Sequence, residues 1–150
     1  MIELELIARN VLLSSAGPDL PTEVWACRTL VARTAGYRSR LVGALLRLER
    51  VTDSPADRLR LAEEAVAHAR LIDPDDDHHA TDLLIWALHA LQRNLYALGR
   101  TTEGRAARQE IVVSYRPGLH TKLGCRVTAC YADREPPPVA DWAADAATAS

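Results

Sequence analysis

An all-α fold, built from antiparallel helical hairpins stacked as a short array of six or seven helices, is what three features of the sequence predict. Hydrophobic residues make up 48% of the 150-residue chain, and Ala, Leu, Arg and Glu, all good helix formers, are abundant while Phe is absent. Apolar residues recur at helical spacing in successive stretches. Prolines and glycines fall between those stretches and only rarely inside them.

The opening segment is ambiguous on its own. Ile2, Leu4 and Leu6 alternate as in a strand, whereas Leu4, Ile7 and Val11 fit a helix; with no other strand to pair with, a helix is expected. Residues 16–23, AGPDLPTE, break it, and Thr22 is expected to cap a second helix with Glu23 in its first turn. Gly36 ends that segment. Leu41, Leu45, Leu48 and Val51 then form the stripe of an amphipathic helix. Asp53 or Ser54 caps the next one, with Pro55 at its first position and Leu59, Ala62, Val66 and Ala69 along one face.

The segment LIDPDDDHHATD, residues 71–82, holds five aspartates and two adjacent histidines and separates two hairpins. Pro74 stops the helix before it, and Asp77 or Thr81 is expected to cap the helix after it, where acidic groups complement the helix dipole. Leu84, Leu88, Leu91, Leu95 and Leu98 stripe that following helix, Gly99 ends it, and a partner helix runs to Pro117-Gly118. One more short helix is expected within 118–135. The first 135 residues thus read as a single domain, and 136–150, opened by three prolines, as a mobile tail.

A net charge of −2 with a pI near 6.2 argues against a protein built to bind nucleic acid directly. No stretch approaches the ~18 unbroken apolar residues of a membrane span, and the first residues lack the positive start of an export signal. Three cysteines, Cys27, Cys125 and Cys130, are an odd count that suits reduced thiols, so a cytoplasmic protein is expected.

Residues 44–70 lie over 90–116 without a gap at an offset of 46, with six identities that include Arg47/Arg93, Glu64/Glu110 and Arg70/Arg116. In a second register, with Gly99 in the inter-helix turn, Leu91 and Leu95 take large apolar positions, Gly104 and Ala62 take small ones, and the offset is 42. In this register the chain from residue 38 to 117 resembles a tetratricopeptide repeat. The resemblance implies two helical hairpins whose first helices line a surface for a protein or peptide. The first hairpin departs from the pattern, with TDSPAD in place of a glycine turn.

Candidate chemistry is sparse. Read as a calcium loop from Asp73, the acidic stretch places His78 and Leu84 where glycine and glutamate are needed. His78 and His79 diverge by about 100° on a helix; His78 and Asp82 share a face, and His89 lies roughly 10 Å further along. His78, His79 and Asp82 are therefore the only metal candidates, too few for a structural zinc site, and no metal or other cofactor is expected. No nucleophile elbow, phosphate loop or zincin motif is present, and no catalytic residue is assigned.

Arginines carry the functional lead. Arg38, Arg40, Arg47, Arg50, Arg58 and Arg60 make the first hairpin basic, and Arg93, Arg100, Arg105 and Arg108 the second. They form either a solvated outer face or a groove for an acidic segment, since guanidinium binds carboxylate bidentately. The expected function is a non-catalytic module binding another protein or peptide, with Arg47, Arg93, Asn94 and Arg100 as the binding candidates. Dimerisation through one end of the array is an equally good way to cover exposed apolar ends. Two rival readings are a small helical enzyme or accessory protein with a pocket near His78, His79 or His89, and the ligand-sensing part of a transcriptional regulator.

Overall fold

Good helix formers between strong breakers give helices here, and a computed structural model describes residues 2–114 of the chain, apart from the side chain of Val112. The expected helix within 118–135, the tail 136–150, Cys125 and Cys130 lie outside the described residues. Among the described residues the fold is all-α: helices α1 (Ile2–Leu13), α2 (Leu20–Val31), α3 (Arg38–Val51), α4 (Pro55–Ala69), α5 (Ala80–Ala97) and α6 (Thr101–Ser114), with one 3-10 turn at Ala35–Tyr37 and no strand.

Each helix packs chiefly on its neighbours in sequence, and α3 also touches α5. That extra contact sets the first helices of two successive hairpins side by side. The core runs through the array on Leu41, Val42, Leu45, Leu46, Ala62, Ala65, Val66, Ile85, Ala87, Leu88 and Ile111, all buried. A small second cluster of Ala8, Ala26 and Leu30 holds α1 against α2, with Val11, Leu12 and Tyr37 around it. On α1 only Ala8 is fully buried, and Ile2, Leu4, Leu6, Ile7 and Leu13 remain exposed.

The ends of the helices follow local chemistry, with two departures from the sequence reading. Ser54 caps α4 ahead of Pro55, as its hydroxyl and the missing proline N–H dictate. Helix α2 is capped by Asp19 and not by Thr22. The Asp19 Oδ1 accepts the Thr22 N–H at 2.8 Å, because Pro21 sits within the first turn and brings no donor of its own. Helix α5 starts without a side-chain cap, at His79. Asp77 is turned elsewhere: its Oδ1 accepts the His79 N–H at 2.8 Å and its Oδ2 the Ser39 hydroxyl at 2.5 Å, tying the acidic turn to α3. Asp73 organises the turn itself, its side chain accepting from Asp75 N and its carbonyl from Asp76 N and Asp77 N.

Gly99 has φ +74°, the left-handed geometry that ends α5. The Arg100 N–H reaches Leu95 O at 2.9 Å and the Gly99 N–H reaches Tyr96 O at 3.0 Å, the two bonds of a Schellman closure. The chain reverses there, and α6 returns against α5 so closely that a Cβ on Gly104 would lie 3.0 Å from the Tyr96 ring.

The expected stripe of α3 is corrected at its end. Val51 is 66% exposed, whereas Glu49, two residues earlier, is fully buried. Glu49 follows Leu45 by one helical turn and so continues the buried face. Burial is tolerated because Oε1 accepts from Asn94 Nδ2 at 2.8 Å and from Arg58 Nε at 3.2 Å, while Oε2 accepts from Arg93 Nη2 at 2.8 Å. One carboxylate thereby fastens α3 to α4 and α5.

Candidate functional site

Because α3 and α5 lie side by side, the residues one turn apart on their facing edges border a common groove of about 470 Å³. Helix α3 contributes Ser39, Arg40, Gly43 and Arg47; the acidic turn contributes Asp77 and His79; α5 contributes Leu83 and Trp86. Ser39, Gly43 and Arg47 recur at four-residue intervals and form one edge about 12 Å long, given 1.5 Å per residue. Half-buried Trp86 gives the opposite edge its apolar surface, next to Leu83, which is buried in the core.

The electrostatics of the rim are set by α2. Glu23 is buried on the face that also carries Cys27 and Leu30, and its Oε1 accepts from Arg40 Nε at 3.0 Å and from Arg47 Nη2 at 3.2 Å. Two guanidinium groups thus share a single carboxylate oxygen. Both arginines stay substantially exposed, and Arg47 also donates from Nε to the Gly43 carbonyl at 3.2 Å. At the other end of the groove Asp77 is engaged by the Ser39 hydroxyl and the His79 N–H, which hold its carboxyl below the usual aspartate range. Cys27, behind the rim, is fully buried, and that burial pushes its thiol up.

A second depression is lined by Arg28, Thr52, Asp57, Arg60, Leu61 and Glu64. Its charges are matched in pairs. Arg28 grips Glu64 through Nε at 2.7 Å and Nη2 at 2.6 Å, and Arg60 pairs with Asp57. Each charge there is held in a one-to-one pair, whereas Arg40 and Arg47 converge on one oxygen of Glu23, so the α3/α5 groove is the better candidate.

The four arginine and asparagine candidates go to three places. Arg47 lines the groove. Arg93 and Asn94 converge on the buried Glu49 and join the core. Arg100 grips Glu103 through Nε at 2.8 Å and Nη2 at 2.5 Å at the start of α6. The His78 and His79 rings lie with centroids 3.9 Å apart and planes tilted by 43°, and His79 Nδ1 lies 4.0 Å from Asp82 Oδ2. Among the described residues no three His, Cys, Asp or Glu side chains converge as metal ligands. Among the same residues no helix is long and apolar enough to cross a membrane.

Sequence reasoning did not single out Gly43 or Trp86, and it read Glu23 only as an acid in the first turn of its helix. For Glu23 a signal existed, since it stands one turn before Cys27 on the apolar face of its helix and a carboxylate there needs cationic partners. Gly43 offered another, a glycine in the interior of an otherwise strong helix. Comparison with known protein families, with characterised proteins and with solved structures finds no match to this chain.

Proposed function

We propose that this chain is a non-catalytic interaction module whose groove between α3 and α5 receives a peptide segment of another protein, one that carries acidic side chains. The observation that carries this reading is the pair of exposed guanidinium groups, Arg40 and Arg47, sharing one oxygen of Glu23 beside the apolar edge of Trp86. At this end of the groove two cations converge on one carboxylate oxygen, which favours an additional carboxylate there, bound through paired N–H groups, while Asp77 carries the negative charge at the other end. The apolar edge supplies the area that an ion pair in water does not.

On this reading residues 38–114 form two tetratricopeptide-like hairpins. The support is the contact of the first helices, the close approach of Gly104 to Tyr96, and the glycine closure at Gly99. In stacked hairpins of this kind a surface made by first helices is the natural place for a partner. The working compartment is the cytoplasm, where Cys27 stays a buried thiol.

Affinity capture from extract of the native cell tests the reading, with the intact chain and a Trp86→Ala variant compared side by side. A protein retained by the first and lost by the second is the expected result. Equal retention by both chains would remove the groove from the account.

A further inference from the structure

Gly43 sits in the interior of α3, where glycine is the least favourable residue after proline. Two intrachain reasons for a helical glycine are a positive φ and a neighbour pressed against its Cα. Neither applies. The positive-φ glycines among the described residues are Gly17 and Gly99, and a Cβ built on Gly43 meets nothing within 4 Å. Gly104 shows the contrast, because the Tyr96 ring fills the space in front of it. The open space in front of Gly43 is the groove itself, between Arg40 and Arg47 along α3 and opposite Leu83 and Trp86.

We infer that Gly43 is the specificity-determining position of the groove: it admits the backbone of an extended acidic peptide laid along α3. The inference rests on the peptide-binding reading above and names what the site selects. The edge from Ser39 to Arg47, about 12 Å, spans about four residues of extended chain at ~3.3 Å each. A carboxylate of that segment meets Arg40 and Arg47, and an apolar side chain lies on Trp86. The backbone between them crosses Gly43, where any side chain would hold it away. Asp77, fixed by Ser39 and the His79 N–H, puts a negative charge at the far end and so disfavours a second acidic group there.

Phage-displayed random dodecapeptides selected on the full chain supply the probe. Each selected peptide, as a fluorescein conjugate, is titrated by fluorescence anisotropy against the wild type, Gly43→Ala, Gly43→Leu and Trp86→Ala, with melting temperatures recorded. Peptides rich in Asp or Glu are expected. Affinity should fall severalfold in Gly43→Ala and by about tenfold or more in Gly43→Leu, while Gly43→Ala melts a few degrees higher than the wild type. Peptides that depend on Trp86 yet bind Gly43→Leu as tightly as the wild type would overturn the role of Gly43 and leave the groove standing. A lower melting temperature in Gly43→Ala would show that the glycine serves the fold and would overturn it too. A selection without binders, or binders indifferent to all three substitutions, would remove the groove and this inference together.

Discussion

Arg70, at the C-cap of α4, grips Glu110 of α6 with two prongs, Nε to Oε1 at 3.0 Å and Nη2 to Oε2 at 2.6 Å. Arg28 of α2 holds Glu64 of α4 in the same way. The second helices of successive hairpins are thus joined by repeated ion pairs. The repeat offsets seen in the sequence reappear here on different partners: Arg28 and Arg70 are 42 residues apart, Glu64 and Glu110 are 46 apart. The four-residue difference is about one helical turn, which keeps each charge on the same side of its helix.

These outer pairs should contribute little to stability. The Arg70 and Glu110 side chains are 52% and 33% exposed, and exposed pairs typically couple by 0–1 kcal/mol. A double-mutant cycle with Arg70→Ala and Glu110→Ala should return about 0.5 kcal/mol or less at physiological salt, falling further near 1 M as screening grows. A coupling above about 2 kcal/mol would mean that the pair does more than decorate the surface.

Glu49 should behave in the opposite way. Removing its carboxylate takes the buried acceptor from Arg93 and leaves Asn94 with only the Ala90 carbonyl, and breaking a buried pair costs about 3–5 kcal/mol. Glu49→Ala is expected to lose that much in urea unfolding, whereas Val51→Ala, at an exposed site, should stay within about 0.5 kcal/mol. Similar losses at the two positions would restore Val51 to the buried face.

Gly104 gives a third comparison. A leucine there must displace the Tyr96 ring, and overpacking costs about 1–3 kcal/mol. Arg105 points outward, so Arg105→Leu should be nearly neutral. For Gly104→Ala the helix gains up to about 1 kcal/mol while the ring has to yield a few tenths of an ångström, so the two effects nearly cancel. Equal tolerance of leucine at 104 and 105 would remove the close helix crossing.

The acidic turn makes a prediction in pH. Asp77 is held below its ordinary value first by the Ser39 hydroxyl and then by the His79 N–H. A depressed carboxyl contributes stability that is complete above the unfolded-state value, near 3.9, and is lost as pH falls through the folded value. Ser39→Ala should therefore be less stable than the wild type at pH 6, with the difference shrinking below pH ~4. A difference that stays constant between pH 6 and pH 3 would show that Ser39 acts on packing and not on the Asp77 charge.

The sequence by itself determined the all-α class, the helices and several of their ends. Ser54-Pro55 and Gly99 work as signals because capping and left-handed closure involve residues within a few positions of each other. The stripe Leu59, Ala62, Val66 and Ala69 was legible for a similar reason, since a 3.6-residue period is a property of one helix. The groove was not legible, although Arg47 was among the residues chosen. Arg40 and Arg47 reach Glu23 across 17 and 24 positions, and Arg93 reaches Glu49 across 44. Only the packing of α2, α3 and α5 decided that Arg93 and Asn94 turn inward while Arg40 and Arg47 border open space. A helix announces its own faces, but the partner of a charge on that face belongs to another helix, and its distance along the chain carries no periodic signal.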